Sequence, residues 1–268
     1  MLNMETVIKE MENRGYEVEV VEKINNGVVL KGLMVKRGEL NPVVYVESII
    51  EEGLRKKKTV EEVVNEIENV LHRKTPQFDL KELSNPNFVL ERVLIGVQKE
   101  STEDLLKRES ELEGIEKYLY VDLGQGSFKL YTHHLEIYGL DEEYLWETAE
   151  ENTNANTIIK SMKEVMAEAY DYEEDELPDC ELYVVSNRTK YRGASAVFDK
   201  EKLKWLAKKL KAKGFVVLPS SIHEMLLLPF KRKGEVNMEE MNRLVWSVNN
   251  FEVDPQERLT NRAYVMEF

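Results

Sequence analysis

The feature that most constrains the fold is a pair of strand-like runs on either side of a tight-turn signal. Tyr16–Ile24 alternates apolar and charged residues, Asn25-Asn26-Gly27 follows, and Val28–Val35 is rich in β-branched residues. An Asn-Gly step between two such runs is the strongest short-range sign of a β-hairpin. The sequence therefore predicts antiparallel strands in its first third.

Helical patterns alternate with further strand-like runs in no regular order. Thr59 with Glu62 three residues later is typical of a capping box, and the apolar residues after it recur at helical spacing. Other predicted helices are Met4–Asn13, one capped by Asp141, 157–169, Lys200–Lys213 and one capped by Asn237. Other predicted strands are Pro42–Ile50 (running into a helix), Phe88–Val97, Ile115–Leu123, Ser127–Thr132, Leu182–Ser186, Ala194–Phe198 and Tyr264–Phe268.

This irregular order predicts an α+β fold, with mostly antiparallel sheets and helices packed on one face, rather than a regular βαβ array. Residues 101–113 are highly charged and are interpreted as an exposed connection. We therefore predict two associated lobes, an N-terminal α/β lobe over 1–113 and a C-terminal α+β lobe over 114–268.

Charge and cysteine content limit the partners and the compartment. The 268 residues carry a formal net charge of −14, which argues against nucleic acid or anionic membrane as a partner, since phosphate attraction needs clustered Lys and Arg. Cys180 is the single cysteine, so no intrachain disulfide can form. The first twenty residues contain no signal-like apolar run, and no stretch reaches the roughly 18 apolar residues of a spanning helix. We expect a cytoplasmic protein.

A polar cluster interrupts an apolar segment in the last third of the chain, and its members are Ser220, Ser221, His223 and Glu224. Together with Asn187 they are candidate binding residues of an enzyme or a small-ligand binder. The alternative is structural, with hydroxyl groups bonded to backbone in a tight turn between strands. A zinc-protease helix is excluded because Leu227 stands where the second His is required, and no Gly-x-Ser-x-Gly elbow is present.

A second candidate is the glycine-containing run Asp122–Lys129, which is similar to the first phosphate loop of actin-like and sugar kinases. In such loops backbone N–H groups hold phosphate and the Asp lies near Mg²⁺. The candidate phosphate-binding residues are Asp122, Gly124, Gly126, Ser127 and Lys129. Neither the second phosphate loop nor an adenosine loop is found, so the sequence favours an ordinary hairpin, with nucleotide binding as an alternative.

Other chemistry-bearing residues do not form a complete set. His133 and His134, with Glu136 and Asp122, are conceivable metal ligands, but adjacent His side chains diverge on a strand or a helix. Cys180 is flanked by two acidic residues, whose charge disfavours a reactive thiolate. The sequence therefore predicts neither a metal site nor a cofactor.

The segment Leu218-Pro219-Ser220-Ser221-Ile222-His223-Glu224 resembles a signature of domain-of-unknown-function family 5688. Other pieces agree in order and spacing: Asn25-Asn26-Gly27, Leu135 with Gly139 and Asp141, Ala149 with Asn152-Thr153, Ser161-Met162, Tyr183 with Asn187, and Gly193-Ala194. The resemblance covers nearly the whole chain. It implies an origin in Firmicutes, often in their accessory and mobile DNA, and carries over no catalytic roles.

The lack of a complete catalytic set, joined to the setting that the resemblance implies, favours a non-enzymatic accessory protein of a bacterium or phage. It would act by binding a protein partner, and interference with a host defence system is one role compatible with that setting. The alternative is an enzyme or a small-ligand or nucleotide-binding protein that uses the Pro219–Glu224 segment or the Asp122–Lys129 loop.

Overall fold

The computed structural model describes residues 2–36, 41–72, 80–124, 126–170, 177 and 180–268. The chain divides into two compact units, residues 1–78 and 79–268. The sequence-based boundary at residue 113 falls within the second unit, where Lys107–Glu109 pairs with Ile115–Asp122 in one sheet. Residues 101–113 also contribute the buried side chains of Leu105, Leu106 and Leu112, because these leucines complete apolar clusters of that unit.

The first unit is a three-stranded antiparallel sheet covered by helices. Asn26 and Gly27 both have positive φ and close the predicted hairpin, in which Asn25 pairs with Val28. Thr59 Oγ accepts the Glu62 N–H at 3.2 Å while the Glu62 carboxylate accepts the Thr59 N–H at 2.7 Å, so the predicted capping box is confirmed. The elements are α1 (Met4–Asn13), β1 (Val18–Asn25), β2 (Val28–Val35), β3 (Val43–Tyr45), α2 (Glu47–Arg55) and α3 (Val60–His72), with sheet order β1-β2-β3.

The second unit contains two antiparallel sheets. The first sheet and its helices comprise α4 (Leu80–Leu83), α5 (Pro86–Arg92), β4 (Val93–Lys99), β5 (Lys107–Glu109), β6 (Ile115–Asp122), β7 (Ser127–Lys129), α6 (His134–Tyr138) and α7 (Glu142–Asn156). The second comprises β8 (Thr157–Ser161), α8 (Met162–Tyr170), β9 (Tyr183–Asn187), a 3-10 helix (Gly193–Phe198), α9 (Lys200–Leu210), β10 (Gly214–Pro219), β11 (Met225–Phe230), α10 (Met238–Phe251) and β12 (Tyr264–Glu267).

In the first of these sheets, β6 pairs with β4, β5 and β7. One face packs on α5 and α7, and the other carries Tyr118 and Tyr120. Side chains bond the backbone of β4 at Ile95, whose N–H donates to Thr153 Oγ at 2.9 Å and whose carbonyl accepts from the Ser195 hydroxyl at 2.5 Å. These bonds tie β4 to α7 and to the 3-10 helix, and they satisfy backbone groups at the edge of the sheet.

The second sheet has the strand order β12-β10-β11-β9-β8, and all its pairings are antiparallel. Every residue of β10 is buried, because Phe215 and Val217 face the cluster that includes α9 whereas Val216 and Leu218 face the cluster that includes α10. A strand that is apolar on both sides must be covered on both sides. The predicted α+β class is confirmed, and this sheet carries helices on both faces.

Two predicted segments begin differently from expectation because helix-capping side chains decide where each helix starts, in spite of the apolar pattern around it. The predicted strand Phe88–Val97 starts as α5, since the Asn85 side chain caps the helix at the Asn87 N–H and Pro86 occupies its first position. The predicted helix 157–169 starts as strand β8 and becomes helical at Met162, where Ser161 and Glu164 form a capping box.

Two further segments differ because of positive backbone φ angles. Arg192 adopts φ 52° and leads into a 3-10 helix in place of the predicted strand Ala194–Phe198. The helix after Asp199 ends at Leu210 because Lys211 adopts φ 53°, and Gly214 begins β10. Among the helices of the described ranges, none has the length and apolar character needed to cross a membrane.

Candidate functional site

The candidate site is built on the loop between β9 and the 3-10 helix, which carries Tyr191 and Arg192. Asn187, the last residue of β9, holds this loop with its side chain: Nδ2 donates to the Tyr191 carbonyl at 2.8 Å and Oδ1 accepts the Tyr191 N–H at 3.2 Å. Lys190 and Arg192 have φ of 55° and 52°. Non-glycine residues rarely adopt this conformation, and such strain concentrates at functional sites.

The turn between β10 and β11 supports the same loop from the other side. The Arg192 N–H donates to His223 Nδ1 at 3.0 Å, so the ring proton sits on Nε2, which lies 3.1 Å from Glu257 Oε1. Ser221 Oγ accepts the His223 N–H at 3.0 Å, and the Ser186 hydroxyl donates to the His223 carbonyl at 2.7 Å. Both ring nitrogens are therefore engaged, and His223 positions the backbone of Arg192.

Gly193 allows the loop and the turn to approach closely. A Cβ at this position would lie 2.4 Å from Ser186 Oγ, 2.5 Å from the Asn187 nitrogen and 2.9 Å from the His223 carbonyl oxygen. Two of these three atoms are backbone, so they cannot rotate away. Because Gly193 has no side chain, Asn187 and His223 can both bond the loop, Asn187 at Tyr191 and His223 at Arg192.

The guanidinium of Arg192 lies among tyrosine side chains of β6 and its own loop. Nη1 donates to the Tyr118 hydroxyl, and Nε donates to the Tyr191 hydroxyl at 3.2 Å. The guanidinium carbon lies 5.9 Å from the Tyr120 ring centroid and 5.3 Å from that of Tyr191. Gly96 makes room for Tyr118, since a Cβ there would lie 2.6 Å from its ring. Across the described parts of the chain, no carboxylate forms an ion pair with Arg192.

The tyrosines around Arg192 differ in acidity. Burial raises the pKa of Tyr118, although the charge of Arg192 partly opposes this, and burial also raises the pKa of Tyr120. Burial acts in the same direction on Tyr191, but the charge and hydrogen bond of Arg192 and a hydrogen bond from Ser127 outweigh it and lower the pKa of the Tyr191 phenol. Tyr191 is 41% exposed. Its phenol is therefore both accessible and more acidic than an ordinary tyrosine.

A polar cavity of about 350 Å³ lies next to this cluster, and Asp122 belongs to its wall. Asp122 accepts the Gly124 N–H at 2.8 Å, and its charge raises the pKa of both Tyr120 and Tyr191, which places it near the tyrosines as well. The cavity is lined by Glu91, Arg92, Leu94, Asp122, Leu123, Gly124, Asn152, Ala155 and Asn156. Cationic, anionic and amide groups thus line a common space, and the charge of Asp122 connects it to Tyr191.

Comparison with known proteins identifies the family. The model of a family of unknown function, DUF5688, matches residues 2–267. The chain belongs to this family. No curated protein and no solved structure matches it. The resemblance predicted from the sequence is thus confirmed for the family, and the DUF5688 match covers both compact units.

In this DUF5688 chain, the predicted residues of the Pro219–Glu224 segment separate into two groups. Ser221, His223 and Asn187 come together, and their hydrogen bonds hold the Tyr191–Arg192 loop. No hydrogen bond links the side chains of Ser220 or Glu224 to this cluster within the described residues. The structural interpretation of the turn accounts for Ser221, whose hydroxyl bonds backbone.

The predicted phosphate-binding residues also separate. Lys129 is 10% exposed, and its Nζ lies 2.8 Å from Gln98 Oε1 and 3.2 Å from Glu103 Oε2, so it belongs to a buried network. Asp122 and Gly124 form a turn, and Gly126 leads into β7. The Ser127 side chain forms a hydrogen bond with Tyr191. Gln125 lies outside the described residues. Asp122 and Ser127 therefore act on Tyr191, whereas Lys129 reaches the cluster at Tyr118, with its Nζ 5.1 Å from the ring centroid.

The histidine and cysteine candidates take no part in the Arg192 contacts described above. The rings of His133 and His134 are 4.3 Å apart, and His134 Nδ1 accepts the Tyr131 N–H at 2.9 Å. No group of three or more His, Cys, Asp or Glu side chains that could hold a metal ion occurs among the described residues. Cys180 is exposed.

Four residues of this site were not predicted from the sequence: Arg192, Tyr191, Tyr118 and Glu257. One signal was available for Tyr118: with Tyr120 and Asp122 it follows the two-residue period of a strand, which places these polar side chains on one face. Arg192 had only a weak signal, its position directly before Gly193 between two predicted strands. Glu257 has none in the local sequence.

Proposed function

We propose that this protein binds a small ligand bearing a carboxylate or phosphate group, and that Arg192 and Tyr191 recognise that group. The observation that carries the proposal is the Arg192 guanidinium, which is held by two phenols in a strained backbone conformation without a carboxylate partner among the described residues. A guanidinium is the side chain best suited to bind planar anionic groups with paired hydrogen bonds.

The energetics of Arg192 support a ligand. A positive charge that is partly withdrawn from water is costly unless it is paired, and the hydroxyl groups of Tyr118 and Tyr191 compensate only in part. An anion bound to the guanidinium would complete the pairing. The positive φ of Arg192 adds backbone strain. The hydrogen bonds from Asn187 and His223 maintain this conformation, and a contact with a ligand would compensate for its energetic cost.

Neighbouring charges limit the classes of ligand that fit this site. Asp122, which acts on Tyr191 electrostatically, opposes a second anionic group on its side of the site. Asp122, Asn152 and Asn156 line the adjoining cavity and offer oxygen atoms that accept hydrogen bonds. The preferred ligand therefore has one anionic group and, at its other end, hydroxyl or amino groups that donate hydrogen bonds.

The test is the thermal stability of Arg192→Gln with and without millimolar phosphate, sugar phosphates and hydroxycarboxylates. Ligands that bind the native state raise Tm. We expect at least one class to raise the Tm of the wild type and to have no effect on Arg192→Gln. Arg188→Gln is the matched control, because it removes an exposed cation from the same loop. An equal Tm rise in Arg192→Gln, or no rise in the wild type with any class, would refute the proposal.

A second candidate function is protein binding, and one helix favours it. On α10, Leu244, Val248 and Phe251 are exposed at helical spacing, and Phe251 is 74% exposed. Glu240 and Glu252 border this apolar stripe. Apolar side chains that lie together on one exposed helix face mark interaction sites. The partner that fits has an apolar surface surrounded by basic residues.

This second candidate includes the setting predicted from the sequence, a cytoplasmic accessory protein of Firmicutes or phage that interferes with host defence. Affinity capture with Leu244→Ser/Phe251→Ser should lose a stoichiometric partner that the wild type retains. Ile137→Ser is the control, since Ile137 is 63% exposed on α6. A captured protein that binds the double variant equally, or that lacks a basic surface, would contradict this candidate.

A further inference from the structure

An apolar groove lies at the other end of the β10–β11 hairpin from Arg192. Its volume is about 540 Å³, within the range of roughly 300–1,000 Å³ of small-molecule sites. The Pro219–Met225 end of the hairpin leads to the Arg192 site, whereas the Gly214–Phe230 end borders the groove. The walls are formed by Val216, Phe230, Val236, Met238 and Val265. Val265 is 49% exposed, so the groove opens to solvent.

Cationic side chains lie at one end of this groove. Lys231, Arg232 and Lys233 follow β11 directly, and the last two line the groove. The Glu235 carboxylate accepts the backbone N–H groups of Lys231 and Arg232 at 2.8 and 3.0 Å, which fixes the turn. Lys233 Nζ lies 3.6 Å from Glu267, another lining residue. Arg232 forms no ion pair within the part of the chain that the structure describes.

We infer that this groove binds an amphipathic anion with a single hydrocarbon chain, such as a fatty acid. The apolar walls shield the hydrocarbon chain of the ligand from water, and the burial of each CH₂ group favours binding. Arg232, which lines the same groove, supplies a charge for the head group. Lys231, Arg232 and Lys233 are consecutive cations, so they provide a local positive charge in a chain whose net charge is −14.

The inference is independent of the Arg192 site. The two sites share no lining residue, and they lie against opposite faces of the five-stranded sheet: Val216 and Phe230 belong to the cluster packed on α10, and Ile222 belongs to the cluster packed on α9. Arg192→Gln is therefore expected to bind the amphipathic anion as the wild type does.

The test is calorimetric titration of the full chain with dodecanoate below its micelle concentration. Dodecyl maltoside provides the same chain with a neutral head, and acetate provides the head without the chain. We expect saturable binding of dodecanoate, binding about tenfold or more weaker for each of the other two, and about tenfold weaker dodecanoate binding in Val265→Ser and in Arg232→Gln. Both positions are exposed, so both variants should fold, and Tm verifies this.

The control variants are Ile137→Ser and Lys208→Gln, which remove an exposed apolar side chain and an exposed cation elsewhere in the same unit. They should bind dodecanoate as the wild type does. Absence of saturable binding to the wild type, or unchanged binding in Val265→Ser, would overturn the inference. Equal binding of dodecyl maltoside, or unchanged binding in Arg232→Gln, would overturn the assignment of the anionic head group.

Discussion

The buried pair of Lys129 and Glu103 gives the sharpest test of the second unit. Lys129 is 10% exposed and Glu103 is 8% exposed, with Nζ 3.2 Å from Oε2. In Lys129→Met the Glu103 carboxylate stays buried, and the side-chain donor that remains to it among the described residues is Gln98 Nε2 at 3.2 Å. Breaking a buried ion pair by removing one partner costs about 3–5 kcal/mol, so we expect the free energy of unfolding to fall by about that amount.

The double variant Lys129→Met/Glu103→Gln separates an unpaired charge from a loss of packing. With both charges removed, no ion is left without a partner, and we expect most of the lost stability to return. Glu103→Gln alone leaves Lys129 with Gln98 Oε1 at 2.8 Å and should cost less than Lys129→Met. Because the two sites are in contact, their effects should be strongly non-additive.

Urea unfolding followed by tryptophan fluorescence measures this effect. The three tryptophans, Trp146, Trp205 and Trp246, all lie in the unit over residues 79–268, so the signal follows that unit alone. The midpoint should fall without a change in slope, which would indicate a change in stability rather than in compactness. A loss below about 1 kcal/mol for Lys129→Met would refute the reasoning, because an exposed pair contributes no more than that.

Three further outcomes follow from the structure. Gly193→Ala should lower the free energy of unfolding by about 1–3 kcal/mol through overpacking, whereas Gly126→Ala, with open space around it, should change it little in the same urea assay. In an alkaline ultraviolet titration, the first phenolate to form should be that of Tyr191. This first step should vanish in Tyr191→Phe and should move to higher pH in Arg192→Gln. Its persistence in Tyr191→Phe would contradict the assignment. Burial and the charge of His133 lower the pKa of His134, so the folded state binds this proton less readily than the unfolded state does. The free energy of unfolding should therefore fall as the pH drops below about 6.5. The Tm of His134→Asn should fall less than that of the wild type over the same pH interval, and an equal fall in both would indicate that His134 is exposed in solution.

Local signals in the sequence were sufficient where a few adjacent residues decide the structure. The Asn26-Gly27 turn fixes its hairpin because both residues adopt positive φ, and Thr59 with Glu62 fixes a helix start because each side chain bonds the other's backbone. These interactions span three residues or fewer. The family resemblance and the α+β class, which depend on many such signals together, are confirmed as well.

Segments whose state depends on a distant partner could not be predicted in this way. Thr157–Ser161 fits the spacing of a helix, and it is a strand because it pairs with Tyr183–Asn187. Gly193–Phe198 has the composition of a strand, and its Ala194 N–H instead bonds the Ile222 carbonyl. Strand propensity reflects packing and pairing more than local backbone preference, so these two segments were ambiguous from sequence alone.

The same limit applies to the polar segment at His223, for which the sequence left open whether its residues bind a ligand or hold a turn between strands. An imidazole nitrogen accepts a hydrogen bond equally well from a substrate, a hydroxyl or a backbone N–H, and residue type does not distinguish them. His223 accepts from Arg192, 31 residues earlier in the chain, and Arg192 in turn reaches Tyr118, 74 residues earlier. Only the fold brings these three together. A polar residue next to an apolar strand therefore indicates where a loop is bonded to the rest of the fold. The ligand-binding group is then to be sought on that loop.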